Sequence, residues 1–137
     1  RLAYKAYEEF FDGERFTSLQ ADGANTQRPL WASTGVKNPD YPDTMYVSDL
    51  LVENTVNTMP EKTMRAFADH GEVEGDQVRP NYDDAQQVME LLKTVGVVYN
   101  DVIETLETEG VDKFVKSWSE LSATVEAQMS NAAGSQR

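Results

Sequence analysis

The sequence contains no cysteine and a single histidine among its 137 residues. The first absence excludes disulfides, a thiolate nucleophile and thiolate metal sites, and the second excludes a histidine cluster that would hold zinc. Positive charge is scarce as well: twelve Lys and Arg face twenty-four Asp and Glu, for a formal net charge of -12. Such a chain has little electrostatic affinity for a nucleic-acid backbone or an anionic membrane, so neither is expected as a partner. No apolar run approaches the roughly 20 residues that cross a bilayer. The opening Arg1-Leu2-Ala3-Tyr4 has no initiator Met and no basic-then-apolar export pattern, so the expected location is the cytoplasm. Length excludes one architecture outright, because a complete (β/α)8 barrel takes about 250 residues. What remains open is the chemistry of lysine, carboxylates and hydroxyls, and any anionic ligand must be held by a local cation.

Leu2, Ala6 and Phe10 recur every four residues beside Ala3, Tyr7 and Phe11, which predicts an amphipathic helix over residues 1–11 that stops at Asp12-Gly13. A second short helix is expected over Glu14 to Ala21. Arg28 to Thr34 reads as an apolar strand with Pro29 to Ser33 as its body, followed by Gly35 and the proline-stiffened loop Lys37-Asn38-Pro39-Asp40-Tyr41-Pro42. A helical turn is expected around Thr44 to Leu51, then a second strand over Asn54 to Thr58. Thr58-Met59-Pro60-Glu61 has the spacing of a capping box, in which the Thr58 hydroxyl would satisfy a free N–H of a helix running from Pro60 to His70-Gly71.

From Asp83 onward the pattern is helical throughout. Val88, Leu91, Leu92 and Val95 form one stripe closed by Gly96, and Tyr99, Val102, Ile103 and Leu106 repeat it up to Gly110. Val111, Phe114, Val115, Trp118, Leu121 and Val125 extend it through a last helix whose stripe is expected to face a core. The tail Ser130 to Arg137 has no apolar face and is expected to fray. Two strands, each followed by helix, fit the βα repeat of a parallel sheet. Parallel sheets are normally covered on both faces, and two strands do not make one alone. Either the domain is mostly helical with a vestigial ribbon, or partner strands lie in polypeptide outside this sequence; the second is preferred.

Three segments carry a resemblance: Arg28-Pro29-Leu30-Trp31-Ala32-Ser33-Thr34-Gly35-Val36-Lys37-Asn38-Pro39, Tyr41-Pro42-Asp43-Thr44-Met45-Tyr46, and Asn54-Thr55-Val56-Asn57-Thr58-Met59-Pro60-Glu61-Lys62-Thr63. Together they resemble the last part of a transaldolase, in its bacterial form with a C-terminal helical extension. The resemblance implies a (β/α)8 TIM barrel with its active site at the C-terminal ends of the strands. Residues 1–80 would be its last helix-strand-helix-strand-helix part, with Pro29 to Ser33 as the seventh strand and Thr55 to Thr58 as the eighth. Residues 81–137 would be the helical extension.

The activity so implied is a transferase reaction of the non-oxidative pentose phosphate pathway. A dihydroxyacetone unit passes from a ketose phosphate to an aldose phosphate through a lysine Schiff base, with no cofactor and no metal. The lysine and the carboxylates beside it belong to earlier strands, so no catalytic residue is expected in this span. The implied partners are sugar phosphates and the N-terminal barrel polypeptide, without which the chain is expected to be inactive.

Lys37 follows the first strand by a short glycine-containing turn, and Lys37-Asn38 looks like the family's basic residue and Asn that contact the substrate's terminal phosphate. A cationic donor is what a phosphate needs in so acidic a chain. The competing reading is a solvated loop lysine, whereas a Schiff-base role would require a dry site that this polar loop does not offer. Ser33 and Thr34 end the strand and either donate to substrate or satisfy backbone groups at the junction. Thr58 is accounted for by capping, and Trp31 by barrel-core or strand–helix packing. His70 stands at a helix end, where positive charge suits the dipole, and Asp83-Asp84 and Glu104 to Glu109 read as helix-surface charges. A reading of a different class is an acidic helical interaction module, self-contained over Asp83 to Met129, that performs no chemistry.

Overall fold

The computed structural model describes residues 1–134. Its elements, in chain order, are α1 (Leu2–Phe11), α2 (Glu14–Ala21), β1 (Leu30–Trp31), α3 (Met45–Ser48), β2 (Val56–Asn57) and α4 (Glu61–His70). A 3-10 turn over Arg79–Asn81 then leads into α5 (Tyr82–Thr94) and α6 (Tyr99–Gly134). The chain divides into two compact units, one of Arg1–Met89 and one from Glu90 onward.

In the first unit β1 and β2 pair in parallel, with Leu30 opposite Val56 and Trp31 opposite Asn57. The ladder is short because each strand finds only one neighbour. Val56 donates to the Pro29 carbonyl at 2.9 Å and Thr58 to the Trp31 carbonyl at 3.0 Å. Both strands are therefore shorter than the periodicity predicts, while the order strand, helix, strand, helix is as expected.

The interior of this unit is small. Tyr4, Phe16, Val47 and Val78 are its buried apolar side chains among the described residues, with Thr34, Thr44 and Thr63 as buried polar ones. An aromatic row continues it, Tyr7 to Phe11 at 5.0 Å and Phe11 to Phe16 at 4.6 Å between ring centroids. The helix expected over residues 1–11 forms as α1, and its inward side is Tyr4 with the half-buried Tyr7 and Phe11, whereas Phe10 is 63% exposed. The length alone allows a sizeable core; these four side chains are far less than one.

The capping box does not form. Pro60 occupies the N-cap of α4 with no side-chain cap, and the Thr58 hydroxyl lies 3.4 Å from the Trp31 carbonyl instead. Thr58 is still part of the strand ladder, so its side chain is held over β1 rather than over the helix.

In the second unit α6 runs without a break through Gly110, where a boundary between two helical segments is expected from sequence. One glycine inside a long helix costs only about 1 kcal/mol relative to alanine, and neighbouring turns carry it. Ser130 to Gly134 continue α6 rather than fray, and the rest of the tail lies outside the described residues. Phe114 and Trp118, expected to face a core, are 81% and 71% exposed, because a single helix has no interior in which to place its own apolar stripe. Gly96 closes α5 as expected, at φ 89 with Val97 donating back to the Leu92 carbonyl at 3.0 Å. Asp83 and Asp84 lie in the first turn of α5, also as expected.

Candidate functional site

The C-terminal end of β1 is where the sequence places its chemistry. Ser33 adopts φ 57, a left-handed conformation that a non-glycine residue enters at a cost. Thr34 follows, 3% exposed, its hydroxyl donating to Asn57 Oδ1 at 2.8 Å. Asn57 Nδ2 donates in turn to the Tyr46 carbonyl at 3.3 Å, so one side chain on β2 links the end of β1 to α3.

Gly35 comes next and packs so closely on α4 that a Cβ there would stand 3.2 Å from Pro60 Cγ. The loop meets α4 again at its other end, a ten-residue helix and so about 15 Å further on. At the far end Asp43 Oδ1 stands 2.8 Å from His70 Nε2. Asp69 Oδ2 stands 3.2 Å from His70 Nδ1, placing a carboxylate on each ring nitrogen. The Asp43 hydrogen bond first, and the Asp69 one second, hold the imidazole above its ordinary pKa, and the same bond to His70 holds Asp43 below the usual carboxylate range.

Lys37 and Asn38 occupy the exposed part of this strap. Lys37 makes no ion pair among the described residues, so its ammonium is available to a ligand. Asn38 Oδ1 accepts from the Asp40 N–H at 3.0 Å, which leaves Nδ2 of this exposed residue as its donor. Ser33 is separate from them. It lines an open groove of about 390 Å³ formed by Leu30 to Thr34 with Tyr46 and Leu50, and neither Lys37 nor Asn38 lines that groove. The structure therefore brings Lys37 and Asn38 onto one loop, with Ser33 at its root. Trp31 is half-buried, and its Nε1 is a buried donor with no partner among the described residues.

The first unit also contains a charge centre that its sequence does not announce. Arg79 Nε, Nη1 and Nη2 donate to Glu8 at 2.6 Å, Asp76 at 2.8 Å and Glu53 at 2.7 Å. Tyr82 donates to the other Glu8 oxygen at 2.6 Å. The guanidinium pKa is raised by the bonds to Glu8, Glu53 and Asp76, in that order, and the Tyr82 phenol is pushed up by burial and by Glu8. Only the Asp76-to-Arg79 spacing of three residues was visible locally. This cluster adjoins the segments that enter β1 and β2, not those that leave them, and each of the three Arg79 nitrogens already faces a carboxylate. Its role is to fasten the fold.

No group of three His, Cys, Asp or Glu side chains suited to a metal ion occurs among the described residues. Nor is any described helix long and apolar enough to cross a membrane.

A family model described as Transaldolase/Fructose-6-phosphate aldolase matches residues 1–125. The chain belongs to the transaldolase family. It is 57% identical over 129 residues to the transaldolase of Frankia alni, an overlap that covers 94% of this chain and 35% of that protein. Against the transaldolase of Mycolicibacterium paratuberculosis the identity is 58% over 133 residues, covering 96% and 36%. The transaldolase of Thermobifida fusca gives 57% over 129 residues, covering 94% and 35%. The chain thus spans about a third of the length of the curated relatives it matches.

Proposed function

We propose that the 137 residues act as the C-terminal part of a transaldolase, with β1 and β2 as the seventh and eighth strands of a (β/α)8 barrel. Lys37 and Asn38 form the phosphate-side wall of its site, and Ser33 adds a hydroxyl at the root of their loop. The observation that carries this reading is the exposed Lys37 ammonium, without an ion pair among the described residues, next to the exposed Asn38 amide, on the loop that leaves a parallel strand of a transaldolase-family chain. In a TIM barrel that is the face where substrates bind.

A sugar phosphate enters with its dianionic end on Lys37, whose charge offsets the repulsion of so acidic a protein, while Asn38 Nδ2 donates to a phosphate oxygen. Anchoring the phosphate fixes the distance from that end to the reacting carbonyl, and so holds the carbonyl near a nucleophile supplied by the preceding polypeptide. That nucleophile is a Schiff-base lysine on an earlier strand. The dihydroxyacetone unit stays on it between release of one aldose phosphate and arrival of the next. No cofactor takes part, and the chain alone performs no transfer. Residues 1–80 are the barrel part and 81–137 the extension, the first turn of α5 remaining tied to α1 by Tyr82 and Glu8.

The test is a chimera in which these 137 residues replace the matching third of the Frankia alni transaldolase. A folded chimera is expected to transfer the three-carbon unit between sugar phosphates, while the chain alone shows none. A folded but inactive chimera overturns the assignment. The exposed stripe of α6 around Phe114 and Trp118 favours a second reading, an acidic helical interaction module. That reading predicts a soluble, cooperatively melting monomer of the chain alone.

A further inference from the structure

Asn57 stands on β2, yet its side chain reaches the root of the loop that leaves β1. The Tyr46 carbonyl, 3.3 Å away, can only accept a hydrogen bond, so it is Nδ2 of the Asn57 amide that faces it. Oδ1 is thereby turned to Thr34, and since a carbonyl oxygen cannot donate, the Thr34 hydroxyl donates to it at 2.8 Å. Thr34 is 3% exposed, so its hydroxyl has almost no access to water and loss of Asn57 would leave it an orphan. The residue before Thr34 is Ser33 at φ 57, and such a conformation persists where surrounding contacts over-determine it. The residue after it is Gly35, pressed against Pro60 and Thr63. A strained residue, a pinned one and a close-packed one thus set the path of the chain two residues before Lys37.

We propose that Asn57 is a positioning residue for the anion site: by holding the Thr34 hydroxyl and the Tyr46 carbonyl together, it fixes where the Lys37–Asn38 loop starts without touching the ligand. This rests on the reading of Lys37 and Asn38 as phosphate-binding.

The experiment uses the chimera described above and measures KM and kcat for a ketose phosphate. Asn57→Ala removes the bonds to both Thr34 and Tyr46 and is expected to raise KM about tenfold, and Thr34→Val, which removes the first alone, about fivefold, each with kcat within about twofold. The double variant is expected to match Asn57→Ala, because Thr34→Val removes a bond that Asn57→Ala has already broken. Lys37→Ala in the same background reads the underlying assignment. If it raises KM while Asn57→Ala and Thr34→Val do not, the role of Asn57 is overturned and Lys37 stands. If Lys37→Ala leaves KM unchanged, both are overturned.

Amide exchange in the folded chimera reads the same coupling without turnover. Asn57→Ala is expected to speed exchange at Thr58, whose N–H is held by the Trp31 carbonyl at the end of β1, about fivefold while α1 keeps its rate. Uniform acceleration, or none, overturns the proposal.

Discussion

Arg79 Nε stands 2.6 Å from Glu8 Oε1, joining side chains 71 positions apart in the chain. With Asp76 and Glu53 on its other nitrogens, this guanidinium ties together α1, the segment before β2 and the turn before α5. Arg79→Ala is expected to cost about 1–2 kcal/mol, since the cluster is partly exposed and water recovers some of the loss. Amide exchange of the Val78 N–H should accelerate about five- to thirtyfold. Arg79→Lys should restore little, because one ammonium cannot reproduce a planar fork shared by three carboxylates.

The same cluster sets an acid limit. Burial pushes Glu8 up, but hydrogen bonds from Tyr82 and Arg79 outweigh it and hold the carboxyl below its ordinary value of 4.5. Asp76 is likewise pushed up by burial but held below 3.8, by the backbone N–H groups of Arg79 and Val78 and by the Arg79 side chain. Depressed carboxyls stabilise the fold above their unfolded pKa values, and that contribution is lost as pH falls through the lower folded ones. Exchange protection in the first unit should therefore hold from neutral pH to about 5 and decline below about 4. In Arg79→Ala the decline should be shallower.

His70 behaves with the opposite sign. Its raised pKa means that the Asp43 tie is complete below the ordinary histidine value of 6.5 and fades as pH rises through the folded one. A proton NMR titration should give His70 a pKa above 6.5, and Asp43→Asn should move it back down. An unshifted titration would remove the carboxylate partner.

Gly71 follows α4 at φ -70 and ψ 139, angles that alanine adopts freely, yet an added Cβ would run into both the Phe67 ring and the Phe67 carbonyl. Gly71→Ala is expected to destabilise the chain by about 1–3 kcal/mol. Phe67→Ala should not rescue it, since the carbonyl obstructs as well. Thermal unfolding of the single and double variants in the chimera decides the point.

The isolated chain should associate. Leu30 is 52% exposed beside a free strand edge, and Phe114, Val115, Trp118 and Leu121 are all at least 56% exposed on α6. Light scattering against concentration should show growing species without a cooperative melt. A monomer with a sharp transition would favour the interaction module.

Helix positions were legible because their signals are local: a four-residue period, then Gly13, Gly71 or Gly96. The strands were readable as apolar segments but not in length, which depends on neighbours that a strand does not encode. The stripe of α6 was visible, whereas its exposure was not, because burial belongs to whatever lies opposite. The Thr58 box had the right residues and failed because ladder bonding had already claimed Thr58. Of the candidate site, Lys37 and Asn38 were singled out through family resemblance rather than spacing. Asn57 and Arg79 escaped notice because their partners lie 23 and 71 residues away.

The register of Leu30 on Val56 has a stoichiometric consequence. In a parallel pair each strand keeps one flank with unbonded N–H and C=O groups, and the two flanks point in opposite directions. A molecule that caps only one flank leaves the other to recruit again, so growth by single additions has no natural end. Termination requires one partner that reaches both sides of the ribbon at once. Completion of this sheet accordingly needs both flanks met, and a partner on one flank alone leaves the other as an open edge.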